Sequence, residues 1–162
     1  MSPMRAAGWP GDRELNKTID AFAKLGVKVM ITELDVNVLP STWDQGSADI
    51  THNFALQQKL NPYPDGLPAA IQQQLAARYA DLFRVFLKHR DAISRVTLRG
   101  VADQDSWLND WPVHGRTSYP LLFDRQYQPK PAFEAVIQTA QAKAIPASAA
   151  KTSEPQTENA SR

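Results

Sequence analysis

Apolar positions recur at helical spacing through Leu15, Ile19 and Phe22. They predict a helix that starts at an N-cap on Asp12, ends near Leu25 and is closed by Gly26 at the left-handed C′ position. Val27 to Thr32 follows with little polar alternation, the pattern of a short strand in a parallel sheet covered on both sides. From Asp35 to Leu67 the chain is rich in Pro, Asn, Asp, Ser and Gly, a connection long enough to suggest a functional loop. Pro68 suits the first turn of a second helix. Its apolar stripe runs through Ile71, Leu75, Tyr79, Leu82, Phe83 and Phe86 to about Arg90.

Val96-Thr97-Leu98 reads as a second short strand, and a long loop from Gly100 to Lys130 follows it. Pro131 opens a last helix with Phe133, Val136, Ile137 and Ala140 on one side. After these elements the composition turns to Ala, Ser, Thr, Glu and Pro, so residues 145–162 are expected to form a disordered tail. Parallel strands joined by a helix make a right-handed βαβ unit. The loops after the strands are longer than those before them, the asymmetry of a (β/α)8 barrel whose chemistry sits on one face. Two strands cannot close a barrel, so the expected fold class is α/β, one arc of a larger domain.

The 162 residues leave room for a single domain with a real core. A net charge of +1 gives no basis for nucleic acid or an anionic membrane as partner. With no cysteine there is neither a disulfide nor a thiolate metal site. His52, His89 and His114 lack ligand spacing, and no metal is expected. No apolar stretch reaches the roughly 20 residues a transmembrane helix needs. Met1 to Arg5 lacks the apolar core of a secretory signal, so localisation stays open.

Chemistry enters with Glu33, which ends the first apolar run. A carboxylate at the C-terminal end of a buried strand stands where barrels hold catalytic groups, although a strand-end Glu facing solvent or pairing with an Arg is the plainer reading. Retaining glycosidases need two carboxyl groups about 5–5.5 Å apart, one of them an ionised nucleophile. Asp35, two residues on, suits a supporting hydrogen-bond role better than that of a second catalytic carboxylate, since alternate strand positions stand nearer 7 Å apart. Asp103 and Asp105 either approach the same rim or cap their loop through Asx-turns. Trp107 and Trp111 lie in a polar loop off any periodic face. They are therefore better candidates than Trp9 or Trp43 to stack on a sugar, with pinning the loop as the other reading. Asn37, His114 and Arg116 are candidate partners for hydroxyl or carboxylate groups.

The segment Val29-Met30-Ile31-Thr32-Glu33-Leu34-Asp35-Val36 resembles the nucleophile strand, the seventh, of glycoside hydrolase family 10, the endo-1,4-β-xylanases. Val96 to Leu108 resembles the eighth strand and its loop, and Trp111 to Arg116, Tyr119 to Asp124 and Gln128 to Phe133 continue the match in order. The resemblance implies a partial (β/α)8 TIM barrel, its last two strands with their helices, over residues 1–144. It implies Glu33 as nucleophile, Asp35 in support, and Trp107, Trp111, Arg99, Asn37 and Arg116 around xylan or a xylo-oligosaccharide. No cofactor is implied. Family members are commonly secreted or periplasmic.

Two departures accompany it. The family's acid/base glutamate lies in a WDVxNE-like motif, and neither that motif nor the first six strands has a counterpart here, so the missing N-terminal part of the barrel is an expected partner. Arg99 stands where the family usually has Trp, and it is expected to pair with Glu33 or Asp35 and so either hold the nucleophile ionised or obstruct the sugar. The expected function is thus that of a retaining xylanase with its acid/base half missing and little activity of its own. The alternative is a non-catalytic remnant, weakly xylan-binding or inert.

Overall fold

The computed structural model describes residues 11–40 and 59–144. Trp9, Trp43, His52 and the expected tail 145–162 lie outside the described residues.

Helix α1 spans Asp12–Lys24, with Asp12 and Glu14 in its first turn and Lys24 in its last, both signs favourable to the helix dipole. The expected cap at Asp12 is displaced by one residue. Gly11 occupies the N-cap without a side-chain bond, and the Asp12 carboxylate instead accepts from Arg78 Nη1 at 2.5 Å, tying α1 to the next helix. Gly26, at φ 75°, ends α1 as expected, its N–H donating to Ala23 O. Of the expected face, Ile19 is buried and Leu15 half-buried, whereas Phe22 stays exposed.

Strand β1 spans Val29–Leu34, helix α2 Ala69–Lys88, strand β2 Ile93–Leu98 and helix α3 Pro131–Ala144. β1 and β2 pair in parallel, Val29 opposite Ile93 and Leu34 opposite Leu98, so β1–α2–β2 is a crossover unit. Both strands differ from the sequence expectation. β1 starts two residues later and takes in Glu33, while β2 starts three residues earlier. Ser94 and Arg95 concealed the start of β2, because they are exposed positions that interrupt its apolar run.

One face of the sheet packs on the helices. Leu34 is fully buried, and Ile31, Ile93, Val96 and Leu98 pack against a core of Leu75, Tyr79, Leu82 and Phe86 from α2 and Ala132 and Val136 from α3. The expected stripe of α2 is therefore the core stripe. On α3, Phe133 and Val136 of the expected face pack on the core, whereas Ile137 and Ala140 are exposed. Met30, Thr32, Arg95 and Thr97 are exposed on the strands. Among the described residues the architecture is α/β, two parallel strands with helices against one face.

Candidate active site

Glu33 is the penultimate residue of β1, and its side chain is 61% exposed at the strand's C-terminal end. Arg99 directly follows β2, where its N–H donates to Leu34 O at 2.9 Å and continues the sheet pairing. That brings its side chain across to the neighbouring strand. Arg99 Nη1 donates to Glu33 Oε2 at 2.7 Å.

The loop after β2 returns a second group to the same place. Gly100, at φ 133°, turns the chain away from the strand. Two short 3₁₀ turns follow, Asp103–Asp105 and Trp107–Asn109, the second capped by Ser106 Oγ accepting from Leu108 N. They deliver Trp107 so that the Arg99 guanidinium carbon lies 4.5 Å from its ring centroid. On its other edge, Trp107 Nε1 donates to Asp35 Oδ2 at 2.8 Å. Glu33, Arg99, Trp107 and Asp35 thus form one chain of contacts: an ion pair, a cation–π stack and an indole hydrogen bond. The ion pair is half exposed and worth at most about 1 kcal/mol; the stack adds about 0.5–1 kcal/mol. Their value is geometric, in fixing four side chains relative to one another.

Gly100 is the hinge of this arrangement. A Cβ there would come within 2.9 Å of Leu121 Cδ1, and its backbone lies in a region L residues rarely adopt. Gly100→Ala is expected to lower stability by about 1–3 kcal/mol in urea unfolding. An unchanged midpoint would show that the loop carries no such constraint.

The remaining expected site residues are placed differently. Trp111 is on the protein surface, 65% exposed, and makes no side-chain hydrogen bond among the described residues. Asn37 Oδ1 accepts from Leu39 N at 3.0 Å in an Asx-turn. Arg116 is buried; its Nη2 donates to Pro40 O at 3.0 Å, and burial pushes its guanidinium down to about 10. In this arrangement Arg116 braces the loop against the segment after β1 and is not presented to solvent. His114 stands exposed beside Asp110. Asp105 is exposed and accepts from Tyr127 Oη.

Asp103 proves to be structural, though by a means other than an Asx-turn. It is fully buried, accepting from Leu121 N–H at 2.9 Å and from Lys130 Nζ at 2.8 Å, and Lys130 also donates to Tyr119 O. Burial drives the Asp103 carboxyl up and the Lys130 ammonium down, each opposed by the other's charge. Asn109 completes the scaffold. Its amide donates to Asp103 O, and its oxygen accepts from Ser118 N–H and Arg125 Nη2. These bonds hold the base of the loop that carries Trp107. Among the described residues no group of three or more His, Asp or Glu side chains is placed to bind a metal.

The sequence model of glycosyl hydrolase family 10 matches residues 6–139. Endo-1,4-beta-xylanase A of Xylanibacter ruminicola is 44% identical over 129 residues, which cover 80% of this chain and 35% of that protein. Among solved structures, a GH10 endoxylanase retrieved from a sugarcane soil metagenome is 46% identical with a TM-score of 0.70, over 80% of this chain and 35% of its own. Another similar structure, described as a complex with xylotriose, is 33% identical with a TM-score of 0.61, over 78% of this chain and 34% of its own. The chain therefore spans about a third of the length of the relatives it matches.

Proposed function

The chain belongs to glycosyl hydrolase family 10, and on that premise we propose that residues 1–144 form the seventh and eighth βα units of a retaining endo-1,4-β-xylanase barrel, with Glu33 as its nucleophile. The observation that carries this reading is the position of Glu33. It is an accessible carboxylate at the C-terminal end of a parallel strand, joined through Arg99 to an aromatic loop residue. Arg99 holds Oε2 alone, so the carboxylate is oriented while Oε1 has no hydrogen-bond partner among the described residues and is free to attack an anomeric carbon. Asp35 acts in support, fixing the Trp107 ring through its indole N–H. Trp107 and Arg99 line the side from which xylan or a xylo-oligosaccharide approaches, a substrate class suggested by the relatives, and Trp111, exposed further along the same loop, offers a more distant contact. Asn37 and Arg116 shape that side by bracing the segment after β1.

Retention requires a second carboxyl group that protonates the leaving oxygen and later activates water. No WDVxNE-like motif occurs in residues 1–162. The second group must then come from other βα units of the barrel. General acid catalysis is worth about 10²–10⁴-fold. Residues 1–162 alone are therefore expected to release no xylo-oligosaccharide from xylan above the blank. Clear release that disappears in Glu33→Gln would place both functions within this chain. The alternative, a non-catalytic xylan binder, is separated by sedimentation with insoluble xylan. Retention that falls in Trp107→Ala supports an aromatic sugar contact, and no retention by either protein leaves the inert reading.

A further inference from the structure

One face of Trp107 is already occupied. The Arg99 guanidinium covers it, its central carbon 4.5 Å from the ring centroid, and the Asp35 hydrogen bond holds the indole in that orientation. Arg99 has five N–H donors. Among the described residues its side chain spends one of them, Nη1, on Glu33 Oε2. The side chain is 42% exposed, so the rest of this planar fork is open to solvent beside the nucleophile. A guanidinium held on an aromatic face with a free edge is suited to a second carboxylate, which it binds through two parallel N–H bonds. A neutral sugar hydroxyl gains less from the same donors, and stacking on the face that Arg99 covers would require the guanidinium to leave the ring.

We propose that Arg99 is a specificity-determining residue that makes this site select xylan chains bearing a carboxylate branch, a uronic acid substituent, over unbranched neutral chains. The guanidinium then bridges two carboxylates, Glu33 on one edge and the uronate on the other, with Trp107 as its platform. Glu33 keeps the single contact that orients it. This inference rests on the xylanase reading of the site and adds which xylan the site takes.

The test compares binding of xylotetraose with that of a xylo-oligosaccharide of the same backbone length carrying one 4-O-methylglucuronosyl branch. The full 162-residue chain is used, and the Trp107 indole N–H resonance is followed by NMR at low ionic strength. The acidic ligand is expected to bind about 10-fold tighter, consistent with one charge-assisted bidentate contact. That preference is expected to fall below about 2-fold in Arg99→Gln and to weaken in 0.5 M salt. Arg99→Lys, which keeps the charge without the fork, is expected to retain only part of it. Arg99 is exposed and outside the core, so each variant is expected to keep the parent chain's amide chemical-shift pattern away from position 99, which serves as the folding control. Equal binding of the two ligands, or a preference that survives Arg99→Gln, overturns this inference and leaves the xylanase reading standing. Binding of neither ligand also overturns this inference and leaves the xylanase reading standing, because the rest of the sugar cleft is proposed to lie on other βα units of the barrel.

Discussion

Lys130→Met is expected to destabilise the chain by about 3–5 kcal/mol, the cost of leaving a buried charge without its partner. Asp103 is 1% and Lys130 6% exposed, so water cannot replace the lost ammonium. Small domains have only about 5–15 kcal/mol of stability in all, so the substitution removes a large share of it at neutral pH. The sign with pH follows from the direction of the Asp103 shift. Its folded-state pKa lies above the ordinary 3.8 because of burial, and removing Lys130, which opposes that shift, raises it further. A group with a raised folded pKa supports the fold below its unfolded value and loses that support as pH rises. The deficit of Lys130→Met should therefore be smallest near pH 4 and grow towards pH 8 in urea unfolding. A pH-independent loss would mean that the side chain matters through packing alone. The double variant Asp103→Leu/Lys130→Met should recover part of the loss but not all. Leu121 N–H and Tyr119 O then remain buried without the partners they now have.

That pair marks the boundary of what the sequence discloses. Periodicity exposes Leu75, Tyr79, Leu82 and Phe86 because a helix between a sheet and solvent must repeat its apolar face. It also exposes β1, where the exposed Met30 is apolar too and so joins the covered Val29 and Ile31 in one apolar run. It hides the start of β2, where Ser94 and Arg95 mix exposed polar side chains with the covered Ile93 and Val96. It fails for Asp103 and Lys130, 27 residues apart, since a long-range ion pair leaves no local pattern. The one available signal was a lysine enclosed by Pro129 and Pro131 at the entry to an apolar helix. In the site, Glu33 was legible from its position after an apolar run, and the Arg99 pairing from charge and reach. The Trp107–Asp35 bond was not legible, because it depends on two 3₁₀ turns whose capping by Ser106 and bracing by Asn109 only the folded loop reveals.

The role of Glu33 can be isolated from the missing acid by choosing a leaving group that needs no proton. A dinitrophenyl 2-deoxy-2-fluoro-xylobioside expels an acidic phenol unaided, so the first displacement depends on the nucleophile alone. Its fluorine slows breakdown of the glycosyl-enzyme. Breakdown also calls for a general base to activate water, a group proposed to lie on other βα units of the barrel. The adduct should therefore accumulate to a single burst of phenol, up to one equivalent, with a matching mass increase on the peptide containing Glu33. The rate should be modest, since Glu33 is 61% exposed and its carboxylate remains solvated. Glu33→Gln removes the attacking charge and is expected to reduce labelling by at least about 10³-fold, while Asp35→Asn, which weakens only the hold on Trp107, should slow it far less. An adduct on another carboxylate, or no adduct at saturating reagent, would remove Glu33 from the chemistry. The family membership would stand and the site would have to be sought elsewhere on the barrel.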